Sequence, residues 1–172
     1  MSERKDEVTF QGNPLTLVGK EVGPGDPAPG VSLLANDLSE ATLEELRAGG
    51  ILIAASVPSL DTSVCSEETK RFNREAESLP GKVRMVVVSM DLPFAQKRWA
   101  DEHGASNVTL LSDHRDAAFG ESFGVLIKEL RLLARAVFVI DSGGKIVYRQ
   151  LVGEITDPPD YDAALRAARE QA

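Results

Sequence analysis

Two continuous apolar runs, Ile51-Leu-Ile-Ala-Ala-Ser-Val and Val83-Arg-Met-Val-Val-Val-Ser, do most to limit what this chain can fold into. Each is too short for a buried helix and too uniform for a half-exposed strand, so both read as strands covered on two faces. Between them Cys65, Thr69, Phe72, Ala76 and Leu79 recur at steps of four, three, four and three, which is one face of a helix. Pro80-Gly81 stops that helix. Strand, helix, strand at this length predicts a βαβ unit with a right-handed crossover.

The flanks extend this unit. Val8-Thr-Phe and Leu15-Thr-Leu-Val predict a hairpin turning at Gly12-Asn13-Pro14. Gly23 to Gly30 reads as a stiff connector over the surface, and Thr42 to Arg47 as a short helix. Pro93 opens a second helix from Phe94 to His103, with Gly104 as its cap. Val108 to Ser112 is a further strand. Ala136 to Ile140 and Lys145 to Arg149 flank the hairpin signal Asp141-Ser-Gly-Gly144. A last helix starts near Pro158-Pro159, with Tyr161, Ala164, Leu165 and Ala168 on one apolar face. A βαβ unit joined to a ββα unit in one central mixed sheet flanked by helices, with an N-terminal β-hairpin, is a thioredoxin-like α/β fold. The 172 residues suit a single domain, 1–172.

Composition narrows the chemistry. Lys and Arg number 19 against 27 Asp and Glu, a net charge of −8 with no basic run, which argues against nucleic acid and anionic membranes. The charged start, Met1-Ser-Glu-Arg-Lys-Asp-Glu, carries no apolar segment after it, and no run is long enough to span a bilayer. A soluble, cytoplasmic protein is expected. One cysteine excludes an internal disulfide framework and a thiolate-rich zinc site. His103 and His114 lie eleven apart with no ligand spacing, so no metal or other cofactor is expected.

A lone cysteine is by default a small buried hydrophobe. The surroundings of Cys65 argue otherwise. The first buried strand ends at Val57, Thr62 or Ser63 suits a helix N-cap, and Glu67 and Glu68 suit a first helical turn. Cys65 then lies in that turn, beyond the C-terminal end of a strand, where α/β sheets collect ligands. Unpaired N–H groups at a helix start favour a thiolate, the form of cysteine that reacts. Packing would oppose the charge, so a nearby cation is needed as well.

Pro58, Thr62 and Cys65, spaced Pro-x-x-x-Thr-x-x-Cys, resemble the peroxidatic motif of the peroxiredoxins. Val8-Thr-Phe-Gln-Gly-Asn-Pro, Asp91-Leu-Pro-Phe-Ala-Gln, Ala134-Arg-Ala-Val-Phe-Val-Ile-Asp and Glu154-Ile-Thr followed by Pro159-Asp-Tyr resemble the bacterial thiol peroxidase subfamily. The resemblance runs from about residue 8 to the last helix. It implies a thiol-dependent peroxidase that reduces hydrogen peroxide and alkyl hydroperoxides to water or alcohol through a sulfenic acid on Cys65. It further implies that Thr62 bonds the peroxide, that Pro58 shields the thiolate, and that Arg135 stabilises the thiolate and the departing oxygen. Thioredoxin or another external thiol as reductant and a homodimer follow from the same resemblance.

One departure stands out. The subfamily's resolving cysteine aligns with Ala100, and no second cysteine exists. The chain is then either a natural one-cysteine variant or one in which that cysteine was replaced by engineering, and in both cases the internal disulfide cannot form. Two other functions compete on the residues. A cysteine hydrolase would need His103 or His114 as its base. A non-catalytic thioredoxin-like binding module would explain the lone cysteine but not the set of Pro58, Thr62, Cys65 and Arg135. Trp99 and Phe94 are expected to pack the second helix, and the histidines to lie on the surface.

Overall fold

A computed structural model describes residues 1–172. The two apolar runs form β5 (Ile51–Ser56) and β6 (Val83–Ser89), paired in parallel from Ile51 against Val83 to Ser56 against Val88. Helix α2 (Ser63–Ala76) crosses between them. On the far side of β6 lies β7 (Thr109–Ser112), also parallel, reached through α3 (Pro93–His103). The other flank of β5 pairs antiparallel with β10 (Ala136–Ile140), which turns back into β11 (Ile146–Leu151). Short β3 (Ser32–Leu34) and β4 (Glu40–Thr42) complete a seven-stranded mixed sheet of order β11-β10-β5-β6-β7-β3-β4. Helix α5 (Tyr161–Gln171) closes the chain.

Alternation along the strands explains why they are apolar throughout. Ile51, Ile53, Ala55, Met85, Val87, Val137 and Val139 face one core, shared with Phe72 of α2, Trp99 of α3 and Leu165 of α5. Leu52, Ala54, Val86, Val88 and Phe138 face the other. Phe119 and Phe123, stacked at 4.2 Å around the short α4 (Ala118–Ser122), fill that second core. A separate four-stranded sheet packs over it: β1 (Glu3–Phe10), β2 (Asn13–Val18), β8 (Leu126–Ile127) and β9 (Leu132–Leu133). This is the thioredoxin-like arrangement, with its central mixed sheet flanked by helices and its N-terminal hairpin. No helix is long and apolar enough to cross a membrane.

The caps largely follow the sequence. Thr42 and Glu45 form a reciprocal capping box on α1 (Leu43–Arg47). Gly104 ends α3 in the left-handed region. The hairpin turn is displaced from its expected place. Gln11 and Gly12, both at positive φ, make the two-residue turn, while Asn13 and Pro14 already belong to β2. Pro14 is tolerated because its partner Thr9 turns its amide away, donating to the Gly153 carbonyl at 2.7 Å. Helix α2 also begins at Ser63, which moves Glu67 and Glu68 out of its first turn.

Candidate active site

Cys65 sits in the first turn of α2, fully buried, where the chain leaves β5 and turns back. The connecting loop is fastened at several points. Val57 donates to the Val88 carbonyl at 3.0 Å, continuing the sheet one residue past the strand. Pro58 is buried behind it. The carboxylate of Asp91 then takes two bonds from the loop, the Ser59 hydroxyl at 2.7 Å and the Leu60 amide at 2.8 Å. Thr62 occupies the N-cap position, but its hydroxyl donates to the Ser59 carbonyl at 2.9 Å and caps no helical amide.

Arg135, between β9 and β10, enters from the opposite side and is 1% exposed. Its Nη2 lies 3.2 Å from the Cys65 Sγ and donates to the Ile155 carbonyl at 2.8 Å. Its Nη1 donates to Oε1 of Glu68 at 2.9 Å, and Glu68 is also fully buried. The Ile155 carbonyl is held in turn. Ile155 donates its amide to the Thr9 carbonyl at 2.9 Å, and the Glu154 carboxylate accepts from the Gly12 amide and from the Thr9 and Thr156 hydroxyls. Those bonds, the Gly12 amide foremost, hold the Glu154 carboxyl down at about 2.

The electrostatics are those of one cation between two acids. Burial pushes the Glu68 carboxyl up to about 7, against the opposing pull of Arg135. Burial alone would lower the Arg135 guanidinium, but Glu68 and Cys65 together hold it above its ordinary value. Tyr161 of α5 borders the cluster. Burial and the nearby Glu68 push its phenol up to about 12, so it stays neutral. A buried guanidinium beside a sulfur atom sets a fixed positive charge where negative charge develops in a reaction at that atom. That is the chemistry of an activated nucleophile with a fixed positive group beside it.

The structure therefore brings Arg135 onto Cys65, with Pro58 buried just past the end of β5 and Thr62 exposed three residues before the sulfur. It does not bring a histidine to the sulfur. His103 and His114 are exposed, and the His103 ring rests on Trp99 at 4.6 Å. The hydrolase reading lacks its base. Ala100 is half-buried against the core that also contains Cys65. Its neighbour Trp99 is buried and donates its indole N–H to the Ser66 hydroxyl at 3.1 Å, joining α3 to α2 beside Cys65. Phe94 does not pack the helix as expected; it is 65% exposed, because it falls on the outer side of the first turn of α3. Sequence reasoning did not single out Glu68, Asp91 or Glu154 as parts of the site. For Glu68 a signal existed: three residues after Cys65, it shares the inward helix face.

Comparison with known proteins agrees with this geometry. The Redoxin family model matches residues 23–165. A thiol peroxidase of Bacillus subtilis strain 168 is 52% identical over 163 residues, covering 95% of this chain and 96% of the relative. One from Staphylococcus aureus strain MRSA252 is 52% identical over 161 residues, with 94% and 96% covered. Among solved structures, a peroxiredoxin-like protein from Aquifex aeolicus superposes with a TM-score of 0.88 at 43% identity over 98% of both chains. A thiol peroxidase from Chromobacterium violaceum, at 24% identity, shares the fold with a TM-score of 0.83 over 96% of this chain and 98% of its own.

Proposed function

The chain belongs to the redoxin family and, within it, to the bacterial thiol peroxidases of the peroxiredoxin group, and from that premise we propose how its residues divide the reduction of a hydroperoxide. The enzyme is a thiol-dependent peroxidase, and Cys65 is its catalytic cysteine. The Cys65 thiolate attacks one oxygen of the O–O bond. A sulfur–oxygen bond forms, the O–O bond breaks, and two electrons pass from sulfur to the peroxide. Cys65 becomes a sulfenic acid, and water or an alcohol leaves after taking a proton.

In our reading Arg135 holds the thiolate before the step and the charge on the departing oxygen during it. The observation that carries this is the 3.2 Å approach of its Nη2 to Sγ inside a closed site. Thr62 orients the peroxide. Its hydroxyl donates to the Ser59 carbonyl, which leaves its oxygen free to accept the peroxide O–H. Buried Pro58 keeps water from the sulfur. The test is single-turnover peroxide reduction by Arg135→Lys, which keeps the charge but loses the fork that spans Cys65, Glu68 and Ile155. A loss of about 10²–10³ in rate is expected, typical of removing one such donor. An unchanged rate in a folded variant would remove Arg135 from the chemistry.

The substrate is a hydroperoxide, and we propose that both hydrogen peroxide and alkyl hydroperoxides are taken. With one cysteine in the chain, reduction of the sulfenic acid falls to an outside thiol, thioredoxin or another. Turnover with thioredoxin and its reductase, compared with a small thiol, identifies which. A homodimer would cover Leu92 and Phe94, which are 51% and 65% exposed at the start of α3; sedimentation of the reduced protein tests it. A cytoplasmic setting suits a thiol that must return to its reduced form. The two cores share one sheet, which supports a single domain over 1–172.

A further inference from the structure

Glu68 is a buried charged group bonded to the active-site arginine that the peroxidase step does not use. Three groups meet at this point with no exposed surface to speak of: Cys65 and Glu68 at 0% and Arg135 at 1%. Both acids bond to the same guanidinium, Glu68 through Nη1 at 2.9 Å and Cys65 through Nη2 at 3.2 Å. The second carboxylate oxygen of Glu68, Oε2, is buried without any partner. An ionised carboxylate with one oxygen unsatisfied, next to a thiolate, would leave the cluster with a net negative charge out of reach of water. Buried charge of that kind is removed by binding a proton.

No second cation bonds to Glu68 or Cys65. From α5 the group facing Glu68 is the Tyr161 phenol, which stays neutral. From α2 come Glu67, which is exposed, and Arg71, whose guanidinium lies 4.3 Å from the centre of the Tyr161 ring and pairs with Asp162 at 3.0 Å. From the segment after β11 comes only the Ile155 carbonyl.

We propose that Cys65 and Glu68 share one proton over Arg135, the working form having the thiolate on Cys65 and the proton on Glu68, and that this proton neutralises the oxygen leaving the peroxide. The balance closes inside the site. Thiolate, carboxylic acid and hydroperoxide give sulfenic acid, carboxylate and alcohol (or water), with no proton taken from solvent. The cluster carries zero net charge before and after, because Glu68 becomes the anion on Arg135 as the sulfur loses its charge. This rests on the pairing of Arg135 with Cys65 being the working state of the peroxidase.

The test is a stopped-flow proton count. Reduced protein in weak buffer about one pH unit above the Glu68 value of about 7, with an indicator dye, receives one equivalent of hydrogen peroxide, and peroxide consumption is followed alongside. The present chain should show thiolate absorbance beforehand and take up no proton as it oxidises. Glu68→Gln, which has the same shape but no proton to give, should take up one proton per peroxide consumed. Uptake of one proton by the present chain, or none by a folded Glu68→Gln, would overturn the proposal. So would zero uptake by the present chain without thiolate absorbance, which decides the matter even where the variant does not fold. Absence of peroxide consumption would instead overturn the peroxidase reading, and the proposal with it.

Discussion

Arg135 owes its position to residues that lie far from it in sequence, and its carboxylate partner Glu68 makes the fold sensitive to pH. Burial lifts the Glu68 carboxyl from 4.5 to about 7. The folded protein therefore binds this proton more tightly than the unfolded chain does. The stability this contributes is complete below about 4.5 and is lost as pH rises through about 7. Glu68→Gln should flatten that decline, worth on the order of 3 kcal/mol for a fully buried group, as read from urea midpoints across the interval. Thr62 offers a second check. Thr62→Val keeps the shape but loses the hydroxyl and should slow single-turnover reduction by at least about tenfold, while Thr62→Ser should be milder. Cys65 was legible because the motif names it, and Pro58, Thr62 and Arg135 entered as candidates from that motif and from the segment Ala134-Arg-Ala-Val. Glu68 was not, because an acidic residue early in a helix ordinarily faces water; only its spacing from Cys65 placed it inward.

At the scale of elements, what could be read in advance was what the chain encodes locally. The runs at Ile51 and Val83 are strands in any environment that buries them, and Pro93 and Gly104 bound α3 by backbone chemistry alone. Strands β3, β4, β8 and β9, two or three residues each, exist only because a partner strand lies beside them, so no local pattern announces them. The turn at Gln11-Gly12 was misplaced because Pro14 outweighed it as a turn signal, although a strand position whose partner turns its amide away accepts proline. Helices α2 and α3 also carry the test of the missing resolving residue. Both are fully wound around Cys65 and Ala100, and the Cys65 sulfur lies on Arg135, so local unwinding is the expected route by which Ala100→Cys reaches Cys65. After one equivalent of peroxide, Ala100→Cys should lose two hydrogens by intact mass, while the present chain gains one oxygen. Oxidation of the variant to sulfinic acid as readily as the present chain would show that position 100 is not the resolving site.

For the molecule as a whole, a single thiol means that each cycle pauses until another protein or small thiol arrives. During the pause the sulfenic acid is open to a second peroxide, which yields a sulfinic acid that no thiol reverses. Turnover at high peroxide should therefore decay with time, and the dead enzyme should carry two or three added oxygens by mass; a steady rate would show that the closed site protects the sulfenic acid. The bond from Trp99 to Ser66 makes such events visible without a label. This is the only tryptophan in the chain, and its indole rests at the seam where α3 meets the residue after Cys65. Its fluorescence thus works as a gauge of that seam. When peroxide drives Ala100→Cys to its disulfide, the start of α2 must come apart, the indole meets water, and its emission should shift to the red. In the present chain, which has nothing for the sulfenic acid to reach, the colour should hold while the sulfur is oxidised.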